Sequence, residues 1–158
     1  MAFRACSFTG HRQIEPAARE TVTNLIDRFI VYAYNNGCRE FYNGGAIGFD
    51  ILAARRVLLF RISHPDVRLH MVLPCKNQSE RWSDRDTSSY EYVLGAADTV
   101  EVIADDYYDG CMRVRNARLV ELCDVLVAYV GRNTGGSAQT YRMAKAAGKT
   151  VYNLFGKK

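Results

Sequence analysis

The sequence predicts an α/β protein, a three-layer sandwich with helices on both faces of a mostly parallel sheet. Two observations carry this. Short apolar runs alternate with segments of helical period from end to end, which is the pattern of successive βαβ units. One run, residues 125–130 (VLVAYV), is almost wholly apolar, as a central strand covered on both faces must be.

Taken in order, residues 2–8 (AFRACSF) read as a first strand that ends at Thr9-Gly10. A helix follows from Pro16, whose missing N–H is not needed in a first turn. Val22, Leu25, Ile26, Phe29, Ile30 and Ala33 recur at helical spacing as one buried stripe, closed by Asn36-Gly37. The second strand, residues 40–42, runs into NGGAIGFD at 43–50. The second helix places Ile47, Ile51, Ala54, Leu58 and Ile62 on its core face, with Arg56 opposite. A third strand at 67–73 stops at Pro74, and the polar stretch 75–89 reads as a loop leading into a helix around 90–96. The fourth strand is 99–103, followed by an acidic, aromatic loop (DDYYDG) and a helix near 113–122. After the fifth strand come Gly135-Gly136-Ser137, an alanine-rich helix ending at Gly148, and a last strand at 150–154. No linker, repeat or low-complexity tract interrupts the pattern, so residues 1–158 are expected to form a single domain.

Composition narrows the function. No run of about 18 apolar residues is present, so no membrane span is expected. The N-terminal segment reads as a strand rather than a signal peptide. Five cysteines, an odd number without a CxxC pair, argue against a disulfide framework or a zinc site and point to a cytoplasmic protein. The histidines form neither HxxxH nor HExxH, so no metal is expected, and no cofactor is implied. With 21 basic and 17 acidic residues the net charge is +4. That suits a small anionic ligand and falls short of a nucleic-acid footprint, so nucleic acid is not expected as a partner.

In an open parallel sheet, ligands bind outside the carboxyl ends of the strands. Those ends carry Thr9-Gly10-His11-Arg12, Gly44-Gly45-Ala46-Ile47-Gly48 and Thr134-Gly135-Gly136-Ser137. Glycines allow tight turns and close backbone approach. Helix N-termini that follow such loops offer free N–H groups to phosphate, and Arg12 and Arg115 are placed to add charge-assisted bonds. Neither the P-loop pattern nor GxGxxG occurs, which argues against a standard ATPase or dinucleotide dehydrogenase. Asp50 reads either as a first-turn acid complementing the helix dipole or as an acceptor for a ligand hydroxyl. Ser137 reads either as a phosphate donor or as an N-cap. Trp82 and the tyrosines Tyr90, Tyr92, Tyr107 and Tyr108 read as core, as an interface, or as a base-stacking surface.

At FTGHR (8–12), NGGAIGFD (43–50), Asn77-Gln78, Trp82, CMRVRN (111–116), CDVLVAYV (123–130) and GGSAQT (135–140), the chain resembles the Rossmann-like SLOG superfamily. That superfamily joins the DNA-processing protein A group to the lonely-guy phosphoribohydrolases. The nearest branch looks like the small YpsA/YoqJ-type proteins of bacteria and their prophages. In the resemblance, Arg115 matches the arginine that lonely-guy enzymes place at their nucleotide site. From the position of the motifs, a nucleotide-type ligand is expected with its phosphate at Thr9, Gly10, Arg12, Gly135, Gly136, Ser137 and Thr140, with His11 beside it, its ribose or a second phosphate at Gly44, Gly45, Gly48 and Asp50, and Arg115 with Asn116 closing the site. The resemblance also admits a homodimer, which the sequence leaves open.

Three functions are expected in descending order. The first is a sensor or binding module for a nucleotide-derived phosphate ligand, in which Arg115→Ala or Gly136→Val weakens affinity and leaves the fold intact. The second is an N-glycosidase acting on nucleoside monophosphates. Lonely-guy enzymes supply a glutamate just after their glycine motif, whereas this chain has Tyr141-Arg142-Met143; Asp50, Glu80, Asp84 and Asp86 are the candidate replacements. Single-stranded DNA binding ranks third.

Overall fold

A computed structural model of the chain describes residues 2–158. Six strands, β1 (Ala5–Gly10), β2 (Glu40–Asn43), β3 (Arg68–Leu73), β4 (Thr99–Val102), β5 (Val125–Tyr129) and β6 (Thr150–Asn153), form one sheet in the order β4-β3-β2-β1-β5-β6. Every neighbouring pair is parallel, so the sheet is wholly rather than mostly parallel. Five α-helices connect the strands: α1 (Arg19–Asn35), α2 (Phe49–Ser63), α3 (Asp84–Ala96), α4 (Cys111–Leu122) and α5 (Gly136–Ala146). The chain first winds outward from β1 to β4, then returns to β5 on the other side of β1. Because parallel crossovers are right-handed, this reversal puts later helices on the opposite face. Helices α1, α2 and α3 pack in series, and α4 packs on α5.

The two faces are unequal. Phe8, Phe41, Leu69, Met71, Val125 and Val127 turn toward the larger core, with Val22, Ile26, Phe29 and Ile30 of α1 and Leu52, Ala53 and Val57 of α2. Phe8, Phe41 and Phe49 are fully buried, each contributing roughly 1.5–3 kcal/mol by leaving water. The opposite core is small: Val120, Cys123, Leu126 and Ala144. There α4 is also tied to β1 by a hydrogen bond from Ser7 Oγ to the Leu119 carbonyl at 2.7 Å. The five cysteines are all buried and free.

The stripe expected on α1 is the one observed, with the same six residues buried. On α2 the middle of the expected face is observed: Ile51, Ala54 and Leu58 are buried. The helix begins at Phe49, so Ile47 lies in the loop, and Ile62 is 79% exposed. The buried set is wider than expected, adding Phe49, Leu52, Ala53 and Val57, because α2 packs on the sheet and on both α1 and α3. Arg56 is not simply solvated: it forms a two-pronged ion pair with Asp27 of α1, both bonds 2.7 Å. Helix α3 starts well before residue 90, within the polar stretch. Ser83 caps it by accepting from the Asp86 N–H at 3.2 Å, and Asp84 and Asp86 lie in its first turn, where carboxylates complement the dipole. Among the described residues, no helix is long and apolar enough to cross a membrane.

Candidate functional site

The reversal of strand order falls between β1 and β5, the place where an open α/β sheet leaves a crevice at its carboxyl edge. A cavity of about 410 Å³ lies there, lined among others by Thr9, His11, Asp50, Arg115, Gly136 and Ser137. Three loops meet at it with almost no clearance. A Cβ on Gly10 would lie 2.5 Å from the Phe49 ring, and one on Gly48 would lie 2.2 Å from the Arg12 carbonyl oxygen. Gly48 also adopts φ +88°, a conformation that favours glycine. These two glycines let the start of α2 seat against the end of β1, and Phe49 N–H donates to the His11 carbonyl at 3.1 Å.

His11 joins β1 to the loop after β5. Gly131 N–H donates to His11 Nε2 at 2.7 Å, so that nitrogen is unprotonated and the neutral ring carries its proton on Nδ1. Nδ1 faces Ser137 Oγ at 3.3 Å, leaving the Ser137 hydroxyl proton available to a ligand. Burial, assisted by the Arg132 charge, lowers the His11 pKa from its ordinary value and favours this neutral form.

The first turn of α5 borders the cavity. Gly135, at φ +97°, is its N-cap and supplies no side-chain cap, so the opening N–H groups of this helix are offered to the cavity rather than to a cap. Arg115 comes from α4 and is only 4% exposed. Its Nε donates to Asn116 Oδ1 at 2.7 Å, and its Nη1 donates to the Gly44 carbonyl. Among the described residues it has no ion-pair partner. Burial lowers its pKa from the ordinary value, while the Asp50 charge opposes that. Asp50 itself is buried; Oδ2 accepts from Ala46 N–H at 3.3 Å, and Oδ1 has no partner. Burial pushes its carboxyl up to about 6, against the opposing pull of Arg115.

The structure gathers Thr9, Gly10, His11, Arg12, Asp50, Arg115, Asn116, Gly135, Gly136 and Ser137 around one cavity. Others stand back from it. The Thr140 hydroxyl is buried and donates to the Gly136 carbonyl at 2.8 Å, so it braces the first turn of α5. Gly44 is packed under Arg115, Gly45 faces Tyr90 and Met71, and Gly48 faces the Arg12 backbone. From that loop it is Ala46 that reaches the cavity, along with Met112 and Arg132. None of the three stood out in the sequence. Arg132 was detectable as a basic residue between a strand end and a glycine pair; Ala46 and Met112 lie within the motifs at 43–50 and 111–116 but have no side-chain chemistry that singles them out. Among the described residues no cluster of three metal-binding side chains occurs.

Arg12 also lines a second, larger cleft of about 760 Å³ with Arg19, Arg55 and Arg85, beside the first turns of α2 and α3. Glu15 and Asp86 are its acidic residues. None of the four arginines is ion-paired among the described residues.

A family model described as the YspA SLOG family (YpsA) matches residues 6–155. The chain belongs to this family. Among relatives of the SLOG chain, a UPF0398 protein of Halalkalibacterium halodurans is 26% identical over 122 residues, covering 76% of this chain and 65% of the relative. A UPF0398 protein of Bacillus cereus is 25% identical over 120 residues, covering 75% and 65%. The SLOG chain thus matches just under two thirds of the length of these relatives. Two solved structures share its Rossmann-like fold. DNA processing protein A from Helicobacter pylori superposes with a TM-score of 0.66 at 19% identity, over 94% of this chain and 63% of that one. DNA processing protein A from Streptococcus pneumoniae gives 0.67 at 16% identity, over 96% and 50%. The Helicobacter pylori protein is described as having a single-stranded DNA binding mode. This overturns the exclusion of nucleic acid drawn from net charge. A total of +4 is a property of the whole chain, whereas polyanions respond to local concentrations of charge, such as the cleft where four arginines converge.

Proposed function

We propose that the β1–β5 cavity binds the phosphate of a nucleotide-type ligand. The observation that carries the reading is Arg115: a guanidinium 4% exposed, without a carboxylate partner, on a cavity that also receives the first turn of α5. A buried, unpaired cation is costly, and an anion in the cavity offsets that cost. The α5 N–H groups and the Ser137 hydroxyl then hold phosphate oxygens. Asp50, with Oδ1 unpartnered, accepts from a ligand hydroxyl beside the phosphate. Of the four carboxylates considered as glycosidase groups, Asp50 is the one on this cavity, so it is also the residue on which any cleavage of base from ribose would depend.

The test is calorimetric titration with inorganic phosphate, ribose 5-phosphate and nucleoside monophosphates, with chromatography of the same mixtures for free base. Saturable binding without released base supports a binding module; base accumulating with time, and lost in Asp50→Asn, makes the protein a glycosidase. No binding of any phosphate species overturns the reading.

In a second reading the phosphate belongs to single-stranded DNA. The favouring observation is that the arginine cleft adjoins the phosphate cavity through Arg12, so a strand anchored at α5 has a basic path onward. The fold shared with a protein described as binding single-stranded DNA is consistent with it. Fluorescence anisotropy with labelled oligothymidine decides this: micromolar or tighter binding, displaced by salt, supports the strand, and no change at low salt removes it.

A further inference from the structure

We propose that the cavity next to the phosphate site is a nucleobase subsite that selects an exocyclic amino group through Gln78 Oε1. The inference rests on the phosphate reading above and adds the identity of what is attached to the phosphate.

This cavity, about 340 Å³, is walled by Pro74, Met112, Trp82 and Tyr107, and Gln78 lies in its lining. The volume is at the small end of the range for small-molecule sites, about 300–1,000 Å³. Arg12 and Met112 border both it and the phosphate cavity, so the two abut. One backbone atom links them as well: the Gly44 carbonyl accepts from Arg115 on the phosphate side and from Gln78 Nε2, at 3.4 Å, on the other.

The walls suit a flat aromatic ligand. Trp82 is held edge-on against the buried Tyr90, with ring centroids 4.9 Å apart, which fixes its orientation. Tyr107 is 61% exposed, and its backbone is anchored by donation to Asn77 Oδ1 at 3.2 Å. An aromatic ring fixed at the mouth of a cavity is a stacking surface for a base.

The carboxamide orientation of Gln78 follows from its partners. The group that faces the Gly44 carbonyl must be the donor, because a carbonyl only accepts; the same Nε2 lies 3.1 Å from Tyr90 Oη. Oε1 is thereby directed away, buried and without a partner. Among the described residues only one other buried side-chain atom shares this state, Asp50 Oδ1, which belongs to the phosphate cavity. An acceptor left unpaired in a buried position favours a ligand that brings a donor and disfavours one that brings a second acceptor. Adenine and cytosine present an amino group where hypoxanthine and uracil present a carbonyl.

The experiment is calorimetric titration of the full chain with AMP, IMP, CMP, UMP and ribose 5-phosphate. In whichever ring-size pair binds better, the amino member is expected to bind about tenfold more tightly than its oxo partner. Gln78→Met is expected to bring that ratio close to one and leave ribose 5-phosphate affinity unchanged. Equal affinities within both pairs, a preference for the oxo member, or an unchanged ratio in Gln78→Met overturns the proposal. The wild-type ratio stands as a test even where the variant folds poorly. If ribose 5-phosphate and all four nucleotides fail to bind, the phosphate reading falls and takes the subsite with it; if ribose 5-phosphate binds and the pairs do not discriminate, the subsite alone falls.

Discussion

His11 Nε2 accepts a hydrogen bond from the Gly131 backbone N–H at 2.7 Å. This one contact ties the end of β1 to the loop that delivers the first turn of α5, and it exists only while the imidazole is neutral. The lowered pKa of His11 means that the unfolded chain takes up a proton first as pH falls. Stability from this group is therefore complete above about 6.5 and is lost as pH drops through the lower folded value. Urea unfolding midpoints measured from pH 7.5 to 5 should decline more steeply for the wild type than for His11→Gln. Parallel curves would show that the contact contributes nothing.

Asp50 has the opposite sign. Its folded pKa of about 6 lies above the ordinary 3.8, so the folded protein holds the proton longer and ionisation opposes folding. The penalty grows as pH rises from near 4 and is complete above about 6, where it is on the order of 3 kcal/mol. Asp50→Asn is expected to stabilise the unliganded protein at pH 7.5 and to leave it nearly unchanged at pH 4. It should also raise affinity for inorganic phosphate several-fold at pH 7.5, by removing a nearby negative charge, and lower affinity for ribose 5-phosphate relative to phosphate. Thermal melts at the two pH values and paired titrations provide the check.

Arg115 also has a structural part, whatever it binds. Its bond to the Gly44 carbonyl holds α4 against the loop after β2, its bond to Asn116 on the same helix steadies the guanidinium, and a Cβ on Gly44 would collide with that guanidinium at 2.5 Å. The expectation that Arg115→Ala leaves the fold intact is thus revised. That variant should lose about 2–4 kcal/mol, because it opens a cavity and leaves the Gly44 carbonyl with only the long bond from Gln78 Nε2. Arg115→Lys should restore little, since an ammonium on a flexible stem cannot reproduce the planar fork. Denaturant midpoints for both variants, beside their phosphate affinities, separate the structural loss from the binding loss.

Glycines at this site are expected to differ in their tolerance. Gly48→Ala combines positive φ with a 2.2 Å approach to the Arg12 carbonyl oxygen, whereas Gly135→Ala has positive φ with open space around it. The first should cost about 3 kcal/mol or more and the second about 1 kcal/mol. Comparable unfolding midpoints for the two would contradict the packing described here.

The arginine cleft gives a separable outcome. Arg55→Glu with Arg85→Glu should weaken binding of oligothymidine and flatten its salt dependence, each lost phosphate contact removing about 0.7 from the slope of log affinity against log salt. Ribose 5-phosphate, held at α5, should bind the double variant as it binds the wild type. A salt slope unchanged by both substitutions would take the strand out of this cleft.

Periodicity and turn chemistry were sufficient for much of this molecule. The α1 stripe, the six strands and their parallel arrangement follow from local patterns: apolar spacing at 3.6 residues in one case, short apolar runs closed by glycine and proline in the other. The three glycine loops were equally visible, as was the family, because the motifs lie at strand ends along nearly the whole chain. Helix ends were less secure. Ile62 continues the buried series Ile51, Ala54 and Leu58 by spacing and is exposed nonetheless, in the last turn of α2.

Only the tertiary structure decided what each loop residue does. Thr140 and Ser137 are both hydroxyls in one motif, yet the first closes on the Gly136 carbonyl and the second faces the cavity. Gly44 and Gly45 belong to a glycine loop expected to meet the ligand, and they serve to admit Arg115 and Tyr90. Spacing along a chain records which residues share a helix face or a turn. It does not record which atoms from β1, α2, α4 and α5 come within hydrogen-bonding distance across a sheet. Gln78 Oε1 and Asp50 Oδ1 are left without partners by that three-dimensional arrangement, and the binding proposed for the site rests on it.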